Sequence, residues 1–419
     1  MILRLLTSTR LAVWLFISLL LLVYAVLPAL VNAFVPNPYF LELAQLTIVA
    51  CSSIALGYSL PLFDRRLAGG AGRLVLPAKT FHSVIWGVFT AFLLITFLTA
   101  ESIPLVSALR GATTNELSQQ RGDFLKGRTG IESALVYIST LFVSALLPYS
   151  LSCLYQQKSR LRFLLTGLFL AYSISFLAKA LFINVILPLL YLFAQNKQVS
   201  TRRLFGIIGG SALILYLVTL LAFGGETQFD LEGAAAAGDF FGAGYLPTGA
   251  IDHLLWRVFA VPMFTASDTL VVFAESFNRQ ILWGATSSFV AALLGLERVP
   301  LEKLVFEYQW SWNDIASSNA VYIADAYVNF GWAGLAILSM FVGQSLRWFS
   351  QSRDPAFKSL WMIYCFTLFS SGLIGTLLST GYALMFLFAL FVRLTGPASG
   401  TSQLHSPDWR PKPAATILS

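Results

Sequence analysis

The sequence predicts an all-α, polytopic integral membrane protein with about ten transmembrane helices and one large extracytoplasmic loop. Of the 419 residues, 57% are hydrophobic and only 11% are charged, and apolar stretches of about 20 residues recur along the chain. Soluble proteins carry roughly 25% charged residues. A soluble or disordered chain is therefore not expected, and neither is a nucleic-acid partner, although the net charge is +7.

The span boundaries follow from the thickness of the bilayer. A helix needs about 20 apolar residues to cross a hydrocarbon layer of about 30 Å. The first such stretch is too long for the apolar region of a typical signal peptide, so we interpret it as an uncleaved span. Two blocks, 163–194 and 359–392, are too long for one span, and each is predicted to form a pair of short helices with a tight turn. Six single spans complete the ten, at 11–31, 40–62, 80–100, 132–153, 204–223 and 320–346.

The distribution of Lys and Arg predicts the orientation. With the N-terminus inside, 18 of the 27 cations but only 3 of the 20 acids fall on inner segments, as the positive-inside rule requires. Both termini are then cytoplasmic, residues 1–395 form one membrane domain, and the Pro-rich tail 396–419 is predicted to be disordered. The large outer loop is 224–319, in which the apolar stretch 281–296 is too short to span and is interpreted as re-entrant or interfacial.

Several enzyme classes lack support because their motifs are missing. Only three histidines occur, at His82, His253 and His405, and their spacing does not suggest a zinc site. The sequence also contains no Walker loop and no G-x-S-x-G motif. We therefore predict neither a metal nor a cofactor, and ATP-driven transport is not supported.

Cations on the predicted outer side are candidates for binding an anionic head group. The first outer loop, 101–131, carries Arg121, Lys126 and Arg128 within eight residues, which suits a phosphate or pyrophosphate; a solvated loop explains the same residues. Lys179 lies in the middle of the apolar block 163–194. A lysine at membrane depth is a functional candidate, unless the turn lies at the interface and the side chain snorkels to water.

The large loop contains a predicted amphipathic helix, which Pro262 is expected to end or kink. His253 and Arg257 are four residues apart, so they share one face and present an acid/base group beside a cation. A helix lying on the membrane surface explains the same spacing. Glu275 and Arg279 are also four apart and are predicted to form an ion pair on a helix surface.

An aromatic group surrounds the start of the last single span. It is interpreted either as an interfacial belt or as a surface on which sugars stack. Asp325 lies about one turn into this span, where it serves as a general base or caps the outer end of the helix. The aromatic residues are Tyr308, Trp310, Trp312, Tyr322 and Tyr327.

Read together, three segments resemble the O-antigen and exopolysaccharide repeat-unit polymerases, the Wzy-type family. The most specific is 324–334, in which Tyr327 is followed by Asn329-Phe330-Gly331 and then Gly334; the other two are the first-loop run 117–124 and the short-helix pair around Lys179. Arg257, followed by Pro262, is also similar to the family's arginine. The short-helix turn of the family usually carries an arginine, and Lys179 keeps the charge but loses the planar fork.

This resemblance implies a metal-independent glycosyltransferase of the GT-C type at the outer face of a bacterial plasma membrane. It would transfer a glycan from undecaprenyl pyrophosphate to a sugar hydroxyl of the next lipid-linked unit, with a chain-length regulator and a flippase as candidate partners. Two alternatives remain open: an O-antigen ligase-like transferase, and a transporter or flippase for lipid-linked sugars without chemistry.

The implied roles divide the polar residues into three groups. Fixed cations stabilise the leaving pyrophosphate, a carboxylate or imidazole takes the proton of the acceptor hydroxyl, and further groups hold the substrate. The pyrophosphate group is Arg121, Lys179 and Arg128; the catalytic group is Arg257, Asp325, Glu275 and His253; the substrate-binding group is Tyr327, Asn329 and Trp312.

Overall fold

The computed structural model describes residues 7–67, 74–121, 138–177, 179–196, 199–222, 240–245, 250–310 and 318–395. These residues are mostly helical. Among them, seven helices are long and apolar enough to cross a membrane: Ala12–Phe34, Pro38–Ser59, Ala78–Thr99, Ile138–Gln156, Thr201–Leu221, Leu255–Phe277 and Tyr322–Gln351. The predicted tail 396–419 lies outside the described residues.

Shorter helices fill the remainder of the described chain. Two strands, Leu74–Pro77 and Val392–Thr395, pair in parallel with Leu74 opposite Val392, which brings the start of the third long helix beside the last helix. The shorter helices are Asp64–Leu67, Pro104–Leu109, Thr114–Arg121, Arg162–Ser175, Lys179–Gln195, Ser288–Leu294, Leu301–Trp310, Pro355–Ser359, Trp361–Ser370, Leu373–Leu378 and Tyr382–Phe391.

The six predicted single spans coincide with six of the seven long helices to within a few residues. The block 163–194 forms two short helices, as predicted, which meet at residues 176–178. The block 359–392 differs, because it forms three helices instead of two. Gly372 precedes the middle helix with an extended backbone, and Gly381 precedes the last with φ +82°, a conformation that favours glycine.

Of the two outcomes expected at Pro262, an end or a kink of the helix, the structure excludes the end. The helix Ala250–Phe277 continues through Pro262, although an interior proline costs about 3 kcal/mol. Met263 and Phe264 are both buried, and burying a large apolar side chain contributes about 1.5–3 kcal/mol, so packing offsets the cost. Because this helix is long and apolar enough to cross a membrane, the single outer loop 224–319 is not confirmed.

The helices Pro38–Ser59 and Tyr322–Gln351 pack through a pair of glycines. A Cβ on Gly57 would collide with the backbone of Met340, and a Cβ on Gly343 would collide with the backbone of Ile54. At one end, Trp332 packs on Tyr327, which lies near Glu42 at the start of the first helix. At the other end, the Arg347 guanidinium donates to the carbonyl of Tyr58, so the contacts advance in the same direction on both helices. The two helices therefore run parallel and approach closely, which small residues permit in membrane proteins.

The helix Tyr322–Gln351 is broken at Gly331, whose φ of +65° and ψ of −165° are not helical. The side chains of Tyr322 and Ser339 nevertheless lie near each other, although 17 residues of straight helix would separate them by about 25 Å. The chain therefore turns sharply at Gly331. The nine residues before the break form a separate short helix that lies against the longer part.

Candidate functional site

Asp325 is the centre of a polar cluster on the short helix before Gly331. Its Oδ1 accepts hydrogen bonds from Thr286 Oγ1 at 2.9 Å and from Asn329 Nδ2 at 2.9 Å. Asn329 Nδ2 also lies 2.8 Å from Thr286 Oγ1, which closes a triangle of side chains. The other oxygen, Oδ2, faces Gly372, where a Cβ would lie only 2.5 Å from it. One oxygen is thus held, while the other faces a position that only glycine fits.

The segment 278–287 supplies Thr286 and pairs with the backbone of the short helix. Leu282 N donates to Val328 O at 3.1 Å and Trp283 N donates to Asn329 O at 2.9 Å. These two carbonyls lie in the last turn before the break at Gly331, where helical partners run out. The stretch predicted as re-entrant or interfacial therefore begins as irregular backbone. Its N–H groups pair with the last carbonyl groups of the helix that carries Asp325.

The same segment begins with strained backbone. Asn278 and Arg279 follow the helix end with φ +47° and φ +58°, which costs roughly 1–2 kcal/mol per residue. An asparagine in this conformation is common at a helix end, but a following arginine is not. Arg279 makes a bidentate ion pair with Glu42, with N···O distances of 2.7 and 2.9 Å. This hydrogen bonding raises the pKa of the Arg279 guanidinium.

The predicted pair of Glu275 and Arg279 is therefore wrong. The helix ends at Phe277, so Arg279 leaves the helical register that the i, i+4 spacing assumes. Its guanidinium lies instead against Glu42, at the start of another long helix. Glu275 is exposed, and it is not among the residues that line the two cavities described below.

An apolar cavity of about 400 Å³ lies between three helices. This volume is in the range of small-molecule sites, about 300–1,000 Å³. Its only charged lining residue is Arg257, and Asn319 and Ser370 are the other polar side chains. The apolar lining is Leu15, Phe16, Leu19, Val258, Pro262, Trp361, Met362, Cys365, Phe366 and Phe369.

A second, much smaller cavity of about 10 Å³ adjoins Asp325. This is about the room that one water molecule needs. Glu302 and Thr269 contribute its other polar side chains together with Asn319. Asn319 lines both cavities. The structure therefore brings Arg257 and Asp325, two predicted site residues, to neighbouring cavities that share one side chain.

Asp268 is a candidate that the sequence reading missed. It lies on the same helix as Arg257, next to Thr269 of the small cavity, and its Oδ2 accepts from Gln309 Nε2 at 2.7 Å. Gln309 Oε1 in turn accepts from Ser318 Oγ at 2.6 Å. A signal was present, because an acid inside an apolar stretch marks a functional position by the same reasoning that singled out Lys179.

The predicted pyrophosphate group is placed elsewhere. Leu117, on the helix that ends at Arg121, and Leu177, two residues before Lys179, belong to one small apolar core with Ala108 and Val218. Arg121 and Lys179 therefore lie on neighbouring elements, and this core is separate from the two that surround Asp325. Arg128 and Trp312 lie outside the described residues. His253 and Arg121 lie on described helices, but their side chains lie outside what the structure describes.

The geometry around Asp325 suits proton transfer or polar binding beside an apolar ligand. Asn329 and Tyr327, both predicted to bind substrate, lie in different surroundings. Asn329 is buried and orients Asp325, whereas Tyr327 is partly exposed and lies near Glu42 and Arg279. Within the described ranges, no three or more His, Cys, Asp or Glu side chains are grouped so as to hold a metal ion.

Comparison with known proteins adds no relative. No family model matches the chain, and neither a curated protein nor a solved structure matches it significantly.

Proposed function

We propose that this chain is a bacterial plasma-membrane glycosyltransferase that polymerises lipid-linked oligosaccharide repeat units. It would transfer the growing glycan from undecaprenyl pyrophosphate to a sugar hydroxyl of the next lipid-linked unit. The observation that carries the proposal is the pair of adjoining cavities, one apolar with Arg257 in its wall and one polar with Asp325 in its wall. An amphiphilic donor needs both environments side by side.

The apolar cavity suits the polyprenyl chain of such a donor. Its lining comes from apolar and aromatic side chains of three helices, and a single guanidinium interrupts it. A pyrophosphate leaving group gains negative charge as the sugar bond breaks, and a fixed cation beside it lowers the barrier. Arg257 is the cation that we propose for this role, and its exposed side chain in the wall of the cavity supports the proposal.

Asp325 is the proposed general base for the acceptor hydroxyl. Its Oδ1 is held by Thr286 and Asn329, which fixes the carboxylate in one orientation. The small cavity beside it leaves room for one hydroxyl-sized group. The acceptor hydroxyl gives its proton to Asp325 and its oxygen attacks the anomeric carbon of the donor glycan. The bond from that carbon to the pyrophosphate breaks, and the pyrophosphate leaves.

The topology in this proposal has both termini in the cytoplasm and the site towards the outer face. The parallel arrangement of Pro38–Ser59 and the longer part of Tyr322–Gln351 supports it, because the predicted spans 40–62 and 320–346 both run from outside to inside. The pyrophosphate candidates Arg121 and Lys179 then lie on the outer ends of their helices, where they would contact a second lipid-linked unit.

The polysaccharide ladder of the organism that carries the gene tests the proposal. Deletion should reduce the ladder to a single repeat unit, and restoring the gene should recover it. Loss of glycan from the final acceptor while long polymer remains on the lipid carrier would instead indicate a ligase. An unchanged ladder would refute polymerisation.

Matched variants test the two proposed residues in the same strain and with purified protein and lipid-linked repeat units. Asp325→Asn should lower transfer by about 10²–10⁴-fold, whereas Asp252→Asn, an exposed acid near Arg257, should not. Arg257→Ala should lower transfer by about 10²–10³-fold, whereas Arg298→Ala should not. Transfer should persist in EDTA. Equal activity of a variant and its control would remove that residue from the site.

A transporter of lipid-linked sugars is the second candidate function, and the broken helix at Gly331 favours it. Helices interrupted inside the membrane commonly form the binding sites of transporters. This alternative requires no bond to change. Movement of a fluorescent lipid-linked sugar across vesicles by the purified chain, with no lengthening of the glycan, would establish it over the polymerase.

A further inference from the structure

A cluster of aromatic and charged side chains surrounds the ion pair of Arg279 and Glu42. The Arg279 guanidinium lies 5.9 Å from the centre of the Tyr39 ring, and Tyr327 interacts with both members of the pair. Trp332 packs on Tyr327 with 5.4 Å between ring centres. We name this group the Arg279 cluster, with members Tyr39, Glu42, Arg279, Tyr308, Tyr327 and Trp332.

Tyr308 extends the cluster towards the buried acids. Burial, followed by the carboxylates of Asp268 and Glu275 and by Tyr39, raises the pKa of the Tyr308 hydroxyl, so these groups are neighbours. The ring is 49% exposed. Tyr308 therefore connects the surface around Arg279 with the region of Asp268. Tyr327 connects the same surface with Asp325, which precedes Tyr327 by two residues on the same helix.

We propose that the Arg279 cluster is a glycan-binding subsite that holds the sugars next to the reacting unit. A sugar presents apolar C–H faces and a rim of hydroxyl groups. The exposed rings of Tyr308 and Trp332 offer apolar faces with polar edges, and the ion pair offers acceptors beside donors. Two N–H groups of Arg279 bind Glu42 and Tyr327 lies beside the guanidinium; of the five donors of an arginine, those that remain can bind hydroxyl groups.

The charges in the cluster argue against a simple interfacial belt of aromatic residues. Belt residues face lipid at the level of the head groups, where an ion pair would be costly unless it faces water or a cavity. Here the guanidinium is 47% exposed at the centre of the group. The aromatic rings therefore border a water-facing polar surface, and water-facing apolar groups of this kind mark a binding surface.

The identity of the ligand rests on the proposed function, but the test is independent of transfer. The probe is the lipid-free oligosaccharide repeat unit, released by mild acid from the lipid-linked unit of the same organism. Its affinity for the purified full chain is measured by isothermal titration calorimetry. We expect Tyr308→Ala and Trp332→Ala each to weaken binding by about tenfold, and Trp14→Ala, at a ring that is 54% exposed in the first long helix, to leave it unchanged.

The outcomes separate this subsite from polymerisation. Absence of binding to the wild-type chain, or unchanged affinity in a folded aromatic variant, would overturn the subsite; a lost ladder in the deletion strain would then still support polymerisation. Binding that the variants weaken, together with an unchanged ladder, would keep the subsite and refute polymerisation. Tyr308 and Trp332 lie on different helices, so a folding defect in one variant leaves the other to decide, and Arg279→Gln provides a third.

Discussion

Replacing Thr286 with valine tests the triangle that holds Asp325. Valine keeps the shape of threonine and removes only the hydroxyl, so the change opens no cavity. The hydroxyl donates to Asp325 Oδ1 and accepts from Asn329 Nδ2. Asn329 Nδ2 retains two other acceptors, the carbonyl oxygen and the Oδ1 of Asp325, at 2.8 and 2.9 Å. The Asn329 amide therefore still has hydrogen-bond acceptors, and the Asp325 carboxylate is the group that loses a hydrogen bond.

The expected cost is that of one hydrogen bond to a charged group, about 1.5–3 kcal/mol in the free energy of unfolding. Thr286→Ser keeps the hydroxyl and removes a buried methyl group, which costs about 0.5–1.5 kcal/mol. The two single variants are therefore not far apart. A double-mutant cycle with Asp325→Asn separates the two variants. Thr286→Val removes the hydroxyl that binds the carboxylate, so its cost depends on Asp325. Thr286→Ser keeps that hydroxyl, so its cost does not.

The assay is reversible unfolding in mixed micelles with increasing sodium dodecyl sulfate, followed by circular dichroism. We expect a coupling energy of at least about 1 kcal/mol between Thr286→Val and Asp325→Asn. For Thr286→Ser the coupling should stay near the level of independent sites, about 0.3–0.5 kcal/mol. A valine coupling at that same low level would refute the reasoning that Thr286 fixes the carboxylate.

Three further predictions use the same unfolding assay. Gly331→Ala should destabilise the chain by about 1–3 kcal/mol, because its φ and ψ are almost confined to glycine, whereas Gly87→Ala, in open space within a helix, should stabilise it by up to about 1 kcal/mol. Gly343→Ala should cost about 1–3 kcal/mol, because its Cβ meets a rigid backbone carbonyl of the neighbouring helix, and Gly167→Ala, in open space, should not. Glu42→Gln should cost only about 0.2–1 kcal/mol, since its ion pair is partly exposed, and the cost should shrink in 1 M salt; a salt-independent cost would contradict an ionic origin.

Hydropathy predicted six of the seven long helices, because the thickness of the bilayer sets their length and the sequence shows that length as stretches of about 20 apolar residues. It also predicted the pair of short helices in the block 163–194, where the apolar stretch has the wrong length for one span. The local rule for proline could not decide whether Pro262 ends its helix, because that rule does not include the burial that offsets the cost. Hydropathy also could not predict the sharp turn at Gly331, because the apolar residues continue on both sides of the glycine and indicate one span.

The candidate site was predicted only in part, for a related reason. Sequence spacing identifies neighbours on one helix, and it therefore paired Arg279 with Glu275. The observed partner, Glu42, is more than 200 residues away, and no local pattern indicates it. Arg257 was singled out because it shares a helix face with His253 and is similar to the family's arginine, and Asp325 because it lies about one turn into a predicted span. Their adjoining cavities, and Asn319 between them, depend on three-dimensional packing that spacing does not contain.

Backbone strain is concentrated around Asp325. Among the described residues, six other than glycine have positive φ, and three of them, Asn278, Arg279 and Trp283, lie in the segment 278–287. At roughly 1–2 kcal/mol each, this segment carries about 3–6 kcal/mol. Its two hydrogen bonds to the short helix contribute about 0.5–1.5 kcal/mol each and the bond from Thr286 to Asp325 about 1.5–3 kcal/mol. The ion pair with Glu42 adds about 0.2–1 kcal/mol, so the sum offsets that cost only marginally. The segment is therefore held in place by the helix that carries Asp325, and it orients that carboxylate in return. Loss of either partner releases the other, so substitutions at Thr286 should affect the site as strongly as they affect the fold.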